Sequence, residues 1–599
     1  MKNHRSPVFC MRFLVFVIFM LVFSQANGQF VPVYQQGAPG NGIGGYDLKS
    51  PADQAFAFDY DHSSKPDHIA LYRPGTGTMW ILKNSGGTFS PVYAQGAPGN
   101  GIGGYDLKSP ADRAFAFDYD HSSKPDHIAL YRPGTGTMWI LKNGTQPNPV
   151  RVVNIIPASL SGETNQDSEP FLAVQTANPQ VMVASAFTPN PSGTGRAPVY
   201  ISQDGGNTWT LNAISPPQRM SCDITHAMSA AENHPRGDLH AGTLACAGAV
   251  TLAESETNDV ASGAPMAVQA TRTDVDQPFV RALAISGTDH IYVGINDFNQ
   301  PNGHTATVDV SLNGGVSYKS VSIESRTTSG QDGPSVRPAV AKDNTVYAAF
   351  FGWRNFNGSI ATSDIVIVRD DSGASGANAF QALKDPSDNK PGRLIVKGVK
   401  IPWSNSPTMG QERIGSTLSM AVDPNNSSTV YVGWADRVGN GDIYTLHVRR
   451  STDRGVTWSN SDLPNTTITN ATNIALAIAN NGAVGMLYQQ FIGGRWVTQL
   501  LQSHNAFATV QKTVLASVPA GAPPLQFLPY TGDYDYLFPV GNEFRGIFSA
   551  NNTPELANFP QGVRYQRAAN FNTKTLNDGS GHSVPISIDP FYFSVPVIP

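Results

Sequence analysis

Ser202-Gln203-Asp204-Gly205-Gly206-Asn207-Thr208-Trp209 is the stretch that decides the fold, because its spacing returns at Ser451-Thr452-Asp453-Arg454-Gly455-Val456-Thr457-Trp458. A degraded third copy stands at Ser311-Leu312-Asn313-Gly314-Gly315-Val316-Ser317-Tyr318. The pattern is that of a hairpin turn. A short polar side chain accepts from turn amides, a glycine takes positive φ, and an aromatic tucks between sheets. Asp204, Asn313 and Asp453 are therefore read as structural and not as catalytic residues.

Around these turns runs a divergent repeat. Small–apolar runs stand at Pro170–Val174, Asp223–Ala227, Phe279–Leu283, Val336–Val340, Leu418–Val422, Ile474–Ile478 and Tyr534–Phe538, spaced 53 to 82 residues apart. Each is followed by a second run rich in aromatic and small residues, from Val181–Phe187 through Phe544–Phe548. One period has room for four short strands, the content of one propeller blade. The C-terminal run Pro585–Val595 is expected to pair with strands near Val150–Ile156 and latch the ring. With these motifs in hand, residues 149–599 resemble the sialidase-like (BNR/Asp-box) β-propellers. The fold expected is all-β, a seven-bladed Asp-box β-propeller preceded by two tandem propeller-type repeats.

Those repeats are Phe30–Asn84 and Phe89–Asn143, which align over 55 positions with a period of 59 and differ only at Val31/Ser90, Gln35/Ala94 and Gln54/Arg113. Two units are too few to close a ring. The loop Asp59-Tyr60-Asp61-His62-Ser63-Ser64-Lys65-Pro66-Asp67 and its second copy resemble FG-GAP/VCBS-type propeller repeats. The fuller pattern, with Gly44-Gly45-Tyr46-Asp47-Leu48 and Tyr72-Arg73-Pro74-Gly75, is similar to the repeats of bacterial seven-bladed fucose-binding lectins. Asp59, Asp61, Ser63 and Asp67, with the Lys65 carbonyl, offer oxygens at the alternate spacing a Ca²⁺ ion takes, as do Asp118, Asp120, Ser122 and Asp126. The alternative is a well hydrogen-bonded Asx-turn hairpin. For a sugar, Trp80, Tyr72 and His68, repeated as Trp139, Tyr131 and His127, supply aromatic faces and polar rims; the competing assignment is blade core. Identical sites in tandem suit avidity-driven binding.

The N-terminus and the bulk properties bear on the compartment. Lys2, Arg5 and Arg12 precede or enter an apolar run from Phe13 to Phe23, then Ala26-Asn27-Gly28, which reads as a signal peptide over 1–28. The run is about half of what a bilayer span needs, so a secreted, extracellular protein without a membrane span is expected. Removing those three cations leaves 37 basic against 45 acidic residues, a net charge of −8 with no basic tract, and nucleic acid is an unsuitable partner. Cys222 and Cys246 remain after Cys10 departs and are expected to be bridged. Apart from Ca²⁺, no cofactor is called for.

Three functions stay open. The first is a glycan-binding, lectin-like protein, with self-association through the N-terminal repeats. The second is an exo-glycosidase with an N-terminal carbohydrate-binding appendage. The third is a propeller that binds protein. The sialidase resemblance implies three arginines around a substrate carboxylate, a Tyr/Glu nucleophile pair and an Asp acid/base. Arg281, Arg337 and Arg413 stand at inner strands, with Glu412, Asp533, Tyr534, Glu169, Asp223 and Asp276 nearby in sequence.

Overall fold

The computed structural model describes residues 33–37, 40–61, 65–96, 98–119, 124–142, 150–160, 167–187, 196–212, 214–216, 221–229, 238–245, 250–301, 303–327, 336–402, 417–437, 444–524 and 530–598. The chain divides into two compact units, Met1–Asn148 and Pro149–Pro599. Among the described residues the elements are β-strands and one 3-10 turn, Leu556–Asn558.

In the second unit, the described residues form seven four-stranded antiparallel sheets. Their first strands are Ser168–Val174, Ser221–Met228, Val275–Ile285, Val336–Val340, Leu418–Asp423, Ala471–Ile478 and Tyr536–Val540, which define blades 1 to 7. Each of these strands packs on the next, and that of blade 7 packs on that of blade 1. The ring is therefore closed, with the first strands around the axis. Blade 7 takes its outermost strand, Arg151–Asn154, from the start of the unit; it pairs with Ile588–Pro596 in the register Tyr592↔Val153. This exchange latches the ring and removes an open edge. Residues 552–587 insert into blade 7 and carry a small three-stranded sheet, Ala568–Asn570, Thr575–Asn577 and Ser583–Val584.

Small residues in the second strands are explained by crowding. A Cβ on Gly294 of blade 3 would run into the carbonyl oxygen of Val336 in blade 4, and one on Gly433 of blade 5 would meet Ile474 of blade 6. The core lies between blades, where Trp209, Trp353, Trp434 and Trp496 are fully buried. The last small–apolar run differs from expectation at its start: Tyr534 and Asp535 precede the strand, which begins at Tyr536. Gly532, at φ +106°, turns the chain there against Glu169.

In the first unit, repeat one forms a four-stranded sheet, Gln54–Phe58, His68–Arg73, Thr78–Ser85 and Thr88–Gln95, and repeat two a three-stranded sheet, Arg113–Phe117, His127–Arg132 and Thr137–Lys142. Phe58, Tyr72, Met79 and Ile81 of repeat one pack on Tyr105, Leu107, Ile128 and Leu130 of repeat two. Each repeat is tied by one arginine. Arg73 Nε donates to Asp53 at 2.7 Å while Tyr46 donates to the same carboxylate at 2.8 Å; Arg132, Asp112 and Tyr105 repeat this at 2.8 Å and 2.8 Å.

Candidate functional site

The turns quoted first are built as their chemistry requires. Asp204 accepts from the Thr208 amide at 2.9 Å and its hydroxyl at 2.7 Å, and Asp453 from the Thr457 amide at 2.8 Å. Asn313 accepts from the Ser317 amide at 3.0 Å. All three join the third and fourth strands of a blade, away from the axis. A fourth turn of this kind was missed: Asn505 accepts from the Thr509 amide at 2.9 Å, and Ser503 from the Phe507 amide at 2.9 Å. Its Ser-x-Asn start survives but its glycine and tryptophan are gone, so the motif does not register.

The chemistry gathers at the axis. The hairpin between first and second strands shifts register near the start of the first strand in blade 1 (Ser185/Phe187), blade 2 (Ser221/Ile224), blade 3 (Asp276/Phe279) and blade 6 (Thr472/Ala475). Bulges of this kind re-aim side chains. Glu169, Gln277 and Asn473 hold positive φ there, at 52°, 52° and 56°, a strain that side chains with Cβ tolerate only under constraint. Together these turn Glu169, Asp223, Gln277 and Asn473 toward one end of the channel.

Beneath them lies an aromatic floor. Phe171 of blade 1 meets Phe279 of blade 3 at 5.2 Å and Tyr536 of blade 7 at 4.2 Å between centroids. Arg281 stacks 4.5 Å from the Phe279 ring centroid, and Arg337 stacks 4.3 Å from the same one. Arg337 also lies 5.8 Å from the Tyr534 ring and donates through Nε to the Leu418 carbonyl at 3.1 Å. The Tyr534 hydroxyl donates to Asp223 Oδ1 at 3.2 Å, across 311 residues of chain, and Gln277 Nε2 donates to Asp533 at 3.3 Å. Burial pushes the Arg337 guanidinium down to about 10, against the pull of Tyr534, Asp223 and Asp533. Burial, then the neighbouring Asp223 and Glu169 charges, raises the Tyr534 phenol well above its ordinary value. The site thus holds the Arg337 guanidinium and a protonated phenol beside Asp223, Glu169 and Asp533, whereas Arg281 lines the cavity on the other side of the floor. Asp276 accepts from the Gln277 amide at 2.9 Å. Glu412 and Arg413 lie outside the described residues.

On the other side of the floor, a cavity of ≈ 860 Å³ is lined by Leu172, His226, Met228, Leu283, Met420 and Phe538, among others. Burial pushes His226 down to about 3, so it is neutral. Among the described residues neither of its ring nitrogens has a hydrogen-bond partner.

In the N-terminal repeats the sugar candidates separate. Tyr72, His68 and His127 are buried. Tyr72 works in the core, donating to Gln54 at 2.6 Å and accepting from the Ala114 amide at 2.9 Å. Trp80 is half-buried, its indole N–H donating to the Gln95 carbonyl at 3.0 Å. Tyr131 is half-buried and Trp139 is exposed. For a metal, Asp61 and Asp67 come together with His68 rather than with Asp59, which is fully buried. Among the described residues this group is two carboxylates and an imidazole, where a Ca²⁺ ion takes six to eight oxygens, and Lys83 lies 4.0 Å from Asp61. In repeat two Asp118 is half-buried and Asp126 buried; Ser63, Asp120 and Ser122 lie outside the described residues. So do Cys246 and the side chain of Cys222.

No protein-family model matches the chain, and no curated protein does. Among solved structures it is similar to an α-L-arabinofuranosidase of Fusarium graminearum in complex with an iminosugar inhibitor, at 10% identity over 75% of this chain and 98% of that one, TM-score 0.36. It is also similar to an ulvan lyase, at 8% identity over 65% and 92%, TM-score 0.41, and to the NanB sialidase of Streptococcus pneumoniae, at 9% identity over 92% and 94%, TM-score 0.31. The fold and the blade count rest on the strand pairing given above: a closed seven-bladed β-propeller with Asp-box turns.

Proposed function

We propose that this chain is a secreted carbohydrate-active protein whose large propeller cleaves a glycosidic bond to a carboxylate-bearing sugar at the bulged end of its axis. The observation that carries the reading is the 3.2 Å contact from Tyr534 to Asp223 beside Arg337. A phenol held against a carboxylate is a nucleophile with its base in place. Tyr534 Oη attacks the anomeric carbon as its proton passes to Asp223, and a glycosyl–tyrosine bond forms. The leaving oxygen takes its proton from a second acid, Asp533 or Glu169. Water then cleaves the glycosyl–tyrosine bond with that residue as base, and the departing Tyr534 oxygen recovers its proton from Asp223, a retaining course. The guanidinium of Arg337 matches a sugar carboxylate in charge and shape. Release of a fluorogenic leaving group from a panel of acidic-sugar glycosides tests this. The wild-type chain turns over at least one of them, and Tyr534→Phe and Arg337→Ala each lose at least a hundredfold in kcat/KM; a silent panel refutes hydrolysis.

A second reading, glycan binding by the N-terminal repeats, is favoured by the partly exposed indoles of Trp80 and Trp139. These pack over the Gly44-Gly45 and Gly103-Gly104 turns, one in each repeat. Replacing both tryptophans by alanine in the whole chain then weakens retention on a glycan array by at least tenfold, while equal retention discards this role.

A further inference from the structure

The two N-terminal repeats are nearly identical in sequence and opposite in exposure, and the difference is systematic. On one side of the sheet, repeat one is buried where repeat two is open: Phe58 is 0% exposed and Phe117 39%, Met79 0% and Met138 56%, Ile81 1% and Ile140 37%. In the loop before each sheet the order reverses, with Leu107 at 0% and Leu48 at 46%. The contact between the repeats explains both. The loop of Leu107 sits on repeat one, its carbonyl accepting from the Gly75 amide at 3.0 Å and the Gly77 amide at 3.1 Å, and Pro110 lies against Gly75. The equivalent glycines of repeat two, Gly134 and Gly136, have nothing near them among the described residues. They line an open concavity of ≈ 480 Å³ together with Phe115, Tyr131, Pro133 and Met138.

The sheet edges tell the same story. Repeat one has a fourth strand, Thr88–Gln95, paired as Trp80↔Ala94 and Met79↔Gln95. Among the described residues, strand Thr137–Lys142 of repeat two has no such neighbour. The sequence that would supply it, the equivalent of 92–96, is residues 33–37, which stand exposed outside any strand. Tyr34 nevertheless keeps the bond its equivalent makes: its hydroxyl donates to Gly42 at 3.0 Å, as that of Tyr93 does to Gly101 at 2.7 Å.

We propose that the open face of repeat two is a docking surface for repeat one of a second copy of this chain, joined head to tail as the two repeats are joined within one chain. The partner fills the concavity with its Leu48 loop and adds its residues 33–37 as the fourth strand, with Gln35 opposite Trp139 and Gln36 opposite Met138. Exposed edge strands are templates for such addition, and the interface is already realised once in this chain between sequences that differ at three positions. One contact is not copied. Gln54 accepts from Tyr72 at 2.6 Å, but Arg113 stands in its place and donates to the Asp112 carbonyl at 2.9 Å. A head-to-tail contact repeats, so it grows a ring where the rotation closes and a filament where it does not.

Sedimentation of the secreted chain tests this. Leu48→Asp blocks the head and Met138→Asp the tail; both positions are exposed in the single chain, and circular dichroism checks that each variant keeps its strands. The wild-type chain sediments above the monomer mass. Each variant sediments as a monomer, and an equimolar mixture gives a 1:1 heterodimer of twice that mass and nothing larger. Phe117→Asp serves as a second tail variant. A wild-type monomer at tens of micromolar, assembly indifferent to either substitution, or a mixture that stays monomeric overturns the proposal.

Discussion

Raising the pH removes a specific stabilisation from blade 5, through His447. Its ring stacks on Trp434 at 5.2 Å, with Nε2 3.0 Å from Asp436 and Nδ1 2.7 Å from Asp462. Both nitrogens face carboxylate oxygens, which only the imidazolium can serve at once. Arg449 shares Asp462 at 3.0 Å, and the Trp434 indole N–H donates to Asp436 at 3.0 Å. Burial works against the charge, but the two carboxylates overcome it and hold the imidazolium up to about 9. A pKa raised on folding stabilises fully below the unfolded value of about 6.5 and loses that stabilisation as pH climbs through 9. At about 1.4 kcal/mol per pKa unit, the gap is worth about 3 kcal/mol. Urea unfolding followed by tryptophan fluorescence, run from pH 5.5 to 9.5 on the wild-type chain and His447→Gln, measures it. The wild-type chain loses about 3 kcal/mol more than the variant over that range. Parallel pH profiles, within about 1 kcal/mol of each other, would refute the buried imidazolium.

Two further substitutions probe packing. Leu107→Asp places an unpaired charge in the contact between the repeats and costs about 3–5 kcal/mol in urea unfolding of the N-terminal unit, whereas the same change at the exposed Leu48 stays within about 0.5 kcal/mol in dilute solution. Gly206→Ala puts a methyl group into the fully buried Tyr592 ring at φ +89° and lowers stability by about 2 kcal/mol or more; a variant that melts with the wild-type chain would show that the blade 1 turn is not seated as described.

The blades were legible because their signals are local. Small–apolar runs such as Val336–Val340 and Leu418–Val422 fall on axial strands, since first strands packed side by side around an axis have room for little else. The latch was legible too, as Phe591, Tyr592 and Phe593 mark a strand needing a partner. The axial site was legible only as residue types. Placing Tyr534 against Asp223 requires closing the ring, and the bulges that aim Glu169 and Gln277 depend on hairpin register, which no spacing records. The lectin-type aromatics show the reverse limit. Tyr72 and Tyr131 are the same residue in the same motif, yet one is core and the other lies at an open face, because only one of them has a repeat packed over it.

On the proposed reading, Tyr534 is the nucleophile of a carbohydrate-cleaving site. Incubating the chain with the fluorinated glycosyl fluoride of whichever acidic sugar it cleaves, then mapping peptides by mass spectrometry, tests it most directly. A glycosyl adduct is expected on the peptide that carries Tyr534, at the Tyr534 oxygen, and none in Tyr534→Phe. Turnover accompanied by an adduct on another residue, or by none, would contradict it.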